Sequence, residues 1–234
     1  MDFKVDERIL SAYPEVKIGV LVGRGLTVVE GHPGLEAYKT RAVAEAAERV
    51  GSEPVTRQPF IASWRDMYRS FGTRPGDYRP SSEALLRRVL KRGGLPTINT
   101  AVDAYNALSV RHLIPMGGFD LDRTRGDISL RLSEGGEAFR PLGSSGPEET
   151  YEGEPVYADE ARILTRRWNF RDCDETKITS ETRSLAMFVD GSGEIPREDV
   201  EEALRELRGL LSEYCGGDYR LGMADARRPQ IPLR

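Results

Sequence analysis

The 234-residue chain is 38% hydrophobic and 31% charged and carries a net charge of −4, the balance of a folded globular protein rather than a disordered one. No apolar run approaches the ~18–20 residues that cross a bilayer, and the opening "MDFKVDERIL" lacks the basic-then-apolar pattern of a secretory leader. No membrane is expected as a partner, and cytoplasm is the expected location. Two cysteines, Cys173 and Cys215, cannot build a disulfide framework, and with only His32 and His112 beside them there is no ligand spacing for a metal. The expectation is a protein without metal or other cofactor.

In chain order, "EVKIGVLVGRGLTVVEG" alternates Val16, Ile18, Val20 and Val22 before "GRG" and reads as a β-hairpin. Pro33 to Val50 is rich in Ala, Glu and Arg, with Gly51 just past its end, and reads as a helix. A second helix is expected from about Ile61 to Phe71. Ser81 or Ser82 is placed to cap a third, "SEALLRRVLKR", which stops at Gly93-Gly94. "LPTINTAVDAYNALSV", Leu95 to Val110, supplies a fourth, closed by His112.

Beyond Gly117 the pattern changes to alternation. "DISLRLS" reads as a strand, Gly135-Gly136 as a turn, and "EPVYADEARILTRRW" as two strands joined around Asp159-Glu160. "SLAMFV" is a short buried strand. An amphipathic helix after Pro196, with Val200, Leu204, Leu207 and Leu211 on its inner stripe, closes the chain. Helices and strands are partly segregated, which indicates α+β or a layered α/β fold with a mostly antiparallel sheet. With no repeat and no long linker, residues 1–234 read as a single domain.

Several familiar motifs fail. "GRG" at Gly23–Gly25 has Val28 where a dinucleotide fingerprint needs its third glycine. "DLDRTRGD" from Asp120 begins like a calcium loop, but its glycine is one place late and Arg131 stands at the closing glutamate position. Between Arg65 and Arg92, eight basic residues face three acidic ones, a local excess of +5. Within it Arg79, Arg87, Arg88, Lys91 and Arg92 are the candidate RNA-binding residues, against the alternative of a solvated helix face.

Asn99, Asp103 and Asn106 fall at i, i+4 and i+7, on one face of the fourth helix. Such residues compete for backbone hydrogen bonds, so a polar face of this kind needs a reason. One reason is structural: Thr100 followed by Asp103 is a short capping box. The other is a binding or catalytic face.

"IN-x-x-VD-x-x-N", Ile98 to Asn106, resembles the signature of the B3/B4 domain in the β-subunit of bacterial phenylalanyl-tRNA synthetase. "PMGGFD" from Pro115 is similar to that family's Pro-x-His-Ala-Phe-Asp, and "RLSEGGE" from Arg131 to its Arg-x-Ala-x-x-Gly-Glu. Leu142 follows at the family's spacing, and "YAD" ending at Asp159 matches the close of the next strand. The likeness covers roughly residues 80–190, with the N-terminal hairpin and helices and the C-terminal helix as extensions, and no synthetase catalytic core accompanies it. The chain therefore resembles a free-standing relative of the domain.

The resemblance implies a layered α/β fold with a β-sandwich, and hydrolysis of the ester of an amino acid wrongly attached to tRNA. It implies Asn99, Asp103 and Asn106 as catalytic residues, and Gly117, Gly118, Asp120, Arg131, Asp159, Arg166 and Trp168 as substrate-binding residues. The implied partners are the aminoacylated 3′ end of tRNA and its amino-acid moiety; a monomer is the default. Three departures are visible. The family's histidine falls on Gly117, its glycine-rich stretch is replaced by "RRWNFRD" (Arg166 to Asp172), and its pocket glutamate falls near Phe188. Hydrolysis would then rest on water oriented by Asn99 and Asn106, without metal, covalent intermediate or a titrating histidine-like base. The alternatives are a non-catalytic module binding tRNA or an amino acid, and a partner-binding protein that keeps only the fold.

Overall fold

The computed structural model describes residues 1–143 and 146–234. Its first strand, β1 (Asp2–Val5), leads into the short helix α1 (Glu7–Ala12), capped by the Asp6 side chain, and then into β2 (Lys17–Arg24). Helix α2 covers Pro33–Val50, with proline in its first turn and the Gly51 N–H bonded back to Ala47 O. α3 (Pro59–Ser70) buries Ile61, Trp64 and Tyr68, and α4 (Ser81–Arg92) stops at Gly93, whose φ of 74° is left-handed. Glycine takes that conformation without a Cβ penalty, so the chain turns out of the helix there.

The start of α4 departs from expectation. Pro80 is the cap residue, no side chain caps the helix, and the hydroxyls of Ser81 and Ser82 have no partner among the described residues. α5 (Thr100–His112) is nearly buried all round, whereas α6 (Arg197–Cys215) buries the predicted stripe of Val200, Leu204, Leu207 and Leu211.

The remaining strands are β3 (Met116–Asp120), β4 (Ile128–Glu134), β5 (Ala138–Phe139), β6 (Glu148–Glu149), β7 (Glu152–Ala158), β8 (Ile163–Arg166), β9 (Arg171–Asp172), β10 (Ser184–Gly191), β11 (Asp218–Ala224) and β12 (Gln230–Pro232). They form a six-stranded sheet in the order β12-β1-β4-β7-β8-β9 and a four-stranded sheet in the order β11-β2-β10-β3, with β5 and β6 as a separate ribbon. Pairing is antiparallel except between β1 and β4. The fold is mixed α/β with largely antiparallel sheets flanked by helices, as the segregation of elements predicts.

Aromatic rings join the sheets. Phe3 and Tyr157 of the larger sheet meet Phe119 and Phe188 of the smaller, with ring centroids 4.8–6.0 Å apart. Such pairs add about 0.5–1.5 kcal/mol beyond the area they bury. β10, flanked by β2 and β3, accounts for the unbroken apolar run of "SLAMFV", because both its faces are covered.

Two further sequence expectations fail. β2 does not fold back as a hairpin: both its edges are taken, by β10 and β11. After Gly25 (φ 67°) the chain instead leaves the sheet, with Leu26 N–H bonded to Arg183 O and Thr27 N–H to Cys215 O. Nor does α6 end the ordered chain, since β11 and β12 follow and β12 pairs with β1. Among the described residues no helix is long and apolar enough to cross a membrane.

Candidate functional site

The polar face of α5 divides its labour. Asn99 is the helix cap: Oδ1 accepts the Val102 N–H at 2.9 Å, while Nδ2 donates to Ile178 O at 3.1 Å. Thr100 is therefore not the cap. Its hydroxyl instead accepts from Val29 N–H and Cys215 Sγ.

Asp103 is 0% exposed. It accepts the Ile98 N–H at 2.9 Å and pairs with Lys39 Nζ of α2 at 2.9 Å. This is the reciprocal bond of a capping box, moved one residue outward. Burial pushes the Asp103 carboxyl above its ordinary range, with Lys39 and the Ile98 amide opposing that rise. Neither Asn99 nor Asp103 lines the cavities described next, so the expected three-residue catalytic face is not assembled. Asn106 alone reaches a cavity, and its amide has no hydrogen-bond partner among the described residues.

Two neighbouring hollows lie beside β3. The larger, about 250 Å³, is floored by Tyr157, Trp168, Phe188 and Asp190 and rimmed by Ser81 and Arg171, with Gly117 in its wall. The smaller, about 180 Å³, is more apolar and is bordered by Val102, Tyr105, Asn106, Gly118 and Ile178. Phe119, Leu142 and Asp172 belong to both linings, and so stand where the two hollows adjoin.

The two glycines differ in what they permit. A β-carbon at Gly117 would stand 3.8 Å from Asp172 Oδ2, with nothing nearer, whereas one at Gly118 would lie 2.7 Å from Met187 Cγ and 2.8 Å from Ala186 O. Gly117 leaves open space. Gly118 is required by close strand approach.

Sequence reasoning missed the two acids of the site. Asp190, at the end of β10, accepts the Tyr157 hydroxyl at 2.6 Å and the Asn169 amide at 3.2 Å, and Asn169 in turn accepts from Tyr68. Burial pushes the Asp190 carboxyl up to about 7, with both hydrogen bonds opposing the rise and the Asp172 charge adding to it. Asp172, on β9, accepts the Thr165 hydroxyl at 2.6 Å, and burial pushes it up to about 6. Carboxyls perturbed by desolvation in a cleft are candidates for proton chemistry. They also give the site a titrating group near pH 6, which the sequence reading does not contain. The one sequence signal was an acid closing the otherwise apolar strand "SLAMFVD".

"RRWNFRD" carries Asp172 into place through an uncommon turn. Arg167 (φ 49°) and Trp168 (φ 66°) are both left-handed, at about 1–2 kcal/mol per residue relative to glycine. The backbone thus takes a path suited to the glycines that the resemblance leads one to expect here. Strain held in this way clusters at functional sites. Trp168 is fully buried against Trp64 and Tyr13, and its Nε1–H has no partner among the described residues.

The other expected substrate contacts lie elsewhere. Asp120 accepts from Thr182 Oγ1 and Asp122 N–H, and Asp159 organises its turn through the N–H groups of Arg125, Ala161 and Arg162. Arg131 grips Glu137 at 2.5 and 2.9 Å, and Arg166 is held by buried Glu154 at 2.8 Å and by Glu148 at 2.7 Å. None of the four lines either cavity. Their spacing in the sequence reflects the fold, because each satisfies charges or turn amides that folding buries. Arg171, unpaired with any carboxylate among the described residues, is the cation at the rim.

The basic segment is thinner than its composition. Arg65 and Arg87 both pair with buried Glu83, Arg69 with Asp66, and Arg74 with Asp77. Arg79, Arg88, Lys91 and Arg92 form no ion pair among the described residues, although Arg88 Nε is buried. Lys91 and Arg92 are exposed at the far end of α4, the helix whose first residue, Ser81, rims the larger hollow.

A family model described as the B3/4 domain matches residues 63–216. The phenylalanine–tRNA ligase beta subunit of Methylococcus capsulatus is 34% identical over 181 residues, covering 68% of this chain and 23% of that protein. Its counterpart from Pseudomonas fluorescens is 29% identical over 152 residues, covering 55% of this chain and 19% of that protein. The chain spans about a fifth of the length of these curated relatives. A solved N-terminal fragment of the phenylalanyl-tRNA synthetase beta-subunit from Pyrococcus horikoshii aligns with 93% of this chain and 50% of its own, at 17% identity and a TM-score of 0.46.

Proposed function

The chain belongs to the B3/4 domain family, and on that premise we propose that it hydrolyses the ester joining a mismatched amino acid to the terminal ribose of a tRNA. The observation that carries the reading is the two-part cavity beside Gly117, which brings an unpartnered amide, Asn106, and two carboxyls with raised pKa values to one place. An aminoacyl ester is already reactive, so orienting a water molecule and holding the ester supplies a useful part of the rate. Arg79, Arg88, Lys91 and Arg92 of the basic segment, with Arg171 at the rim, are the cations offered to the RNA backbone. α4 leads from the larger hollow toward Lys91 and Arg92, which is the path the acceptor end would take.

The test is incubation with a panel of tRNAs mischarged with different amino acids. Deacylation above the uncatalysed rate on at least one member supports the reading; none on any member overturns it. One observation favours the rival, a binding module without catalysis: Asn99 and Asp103 are both committed to the helix start and its neighbours. Binding of aminoacyl-tRNA without turnover would establish that rival.

A further inference from the structure

The two acids of the cavity are not equivalent. Both oxygens of Asp190 are occupied, Oδ1 by the Tyr157 hydroxyl and Oδ2 by the Asn169 amide. Asp172 is held through Oδ1 alone, by Thr165, and Oδ2 has no hydrogen-bond partner among the described residues. That free oxygen faces the space left by the missing side chain of Gly117. Asp172 is also one of three residues shared by the two hollows, and the other two, Phe119 and Leu142, are apolar. A ligand that spans both hollows would have Asp172 beside it, the one acid common to the two linings.

Which end of a ligand goes where follows from the lining. The larger hollow has Ser81 and Arg171 at its rim and opens at the uncapped start of α4. Arg171, which has no carboxylate partner among the described residues, is the cation in that lining. A hydroxyl-rich, anionic group suits that end. The smaller hollow is lined mainly by apolar groups such as Val102, Phe119 and Ile178, with Asn106 and Lys177 among its polar positions, and has room for about six waters at roughly 30 Å³ each, which suits one side chain of mostly apolar surface.

We propose that Asp172 is the base that activates water in this cavity, for an ester whose acyl side chain fills the smaller hollow and whose ribose end fills the larger. The inference rests on the hydrolase reading and deepens it. In the step, Asp172 Oδ2 takes a proton from water as the water oxygen bonds to the ester carbonyl carbon. The carbon–oxygen bond to the ribose then breaks, the ribose oxygen takes the proton back from Asp172, and the free amino acid and the tRNA hydroxyl leave. Asp190 and its ring of donors hold the floor opposite and do not exchange the proton.

The charged and titratable groups around Asp172 are consistent with this task. Asp190 from β10, Tyr157 from β7, Tyr105 from α5, Lys177, Cys173 next in the chain and Arg171 before it line the same two hollows, and burial moves the Asp172 carboxyl up to about 6 against the opposing Thr165 hydrogen bond. A base of that strength is ionised at neutral pH yet strong enough to accept a proton.

The test uses the full chain and the mischarged tRNA that the wild type deacylates fastest, with a stable amide-linked aminoacyl-adenosine as binding probe. Asp172→Asn is expected to lower kcat at least ~100-fold, to leave the probe's Kd within about threefold, and to abolish the rise of kcat/KM through pH ~6. Gly117→Ala, which the space tolerates, is expected to lower kcat by crowding Oδ2 while leaving the thermal midpoint unchanged. Val102→Phe is expected to raise KM for bulky acyl groups and to spare alanyl esters. If wild type is active and Asp172→Asn keeps more than half its rate with the pH step intact, the assignment of the base is wrong and the hydrolase reading survives. Unchanged acyl preference in Val102→Phe overturns the placement of the side chain. No deacylation by wild type on any tRNA overturns the hydrolase reading and removes the base with it.

Discussion

Asp103→Ala separates the structural from the chemical account of the α5 face. The carboxylate is fully buried and holds two groups: Lys39 Nζ, itself 3% exposed, and the Ile98 N–H. Deleting one member of a buried ion pair costs about 3–5 kcal/mol, because the other charge stays buried without its partner. Lys39 keeps Glu36 Oε1 at 2.8 Å and Thr97 Oγ1 at 3.1 Å, which places the expected loss at the low end, about 3 kcal/mol. With a urea dependence of ~2–3 kcal/mol per molar, the midpoint should fall by about 1–1.5 M. Burial raises the Asp103 carboxyl despite Lys39 and the Ile98 amide, and buried ion pairs of this kind are often replaceable by apolar residues of similar volume. Lys39→Met with Asp103→Leu should therefore recover most of the loss, and urea melts of the two single variants and the double variant complete the cycle. Turnover per folded molecule should change less than fivefold. A stable Asp103→Ala that loses ~100-fold in turnover would refute the structural assignment and return Asp103 to the chemistry.

Stability and pH are linked through Asp172. Its carboxyl rises from ~3.9 unfolded to about 6 folded, so the folded state binds the proton more tightly; the resulting penalty is absent below pH ~4, grows as pH rises, and is complete above ~6. Asp172→Asn should then match wild type near pH 4 and exceed it by about 1–3 kcal/mol at pH 8, and a difference that stays flat across this range in urea melts contradicts the shift. Charge reversal at Lys91 and Arg92, which have no ion pairs to lose among the described residues, should weaken tRNA binding and shallow the salt dependence by about one to two units in the log–log slope; an unchanged slope removes the end of α4 from the interface. Arg87 and Arg88 are poorer probes, since one is tied to Glu83 and the other is partly buried. Gly118→Ala should cost about 1–3 kcal/mol by forcing β3 off β10, while Gly117→Ala should melt like wild type; equal melting of the two would show that the strands part easily.

Local order was readable wherever neighbours in sequence settle it. α2 begins at Pro33 and ends before Gly51, and α6 buries the residues of its predicted stripe, because propensity, capping and a 3.6-residue period act within a few turns. The strands β4, β7, β8 and β10 were equally legible from alternation or an apolar run between turns. The resemblance of residues 98–159 to the B3/B4 signature placed the chain in its family before any contact was known. What pairs with β2 was not legible, since a strand's hydrogen-bonding groups carry no address, and two strands distant in sequence, β10 and β11, occupy its edges in place of its own continuation. The same holds for the site. Three polar residues at helical spacing look alike in a sequence, yet Asn99 met a helix end, Asp103 met a buried lysine, and Asn106 met open space. Asp172 and Asp190 are ordinary acids until two sheets close over them; burial is a property of the packed chain, and it is burial that moves their protons.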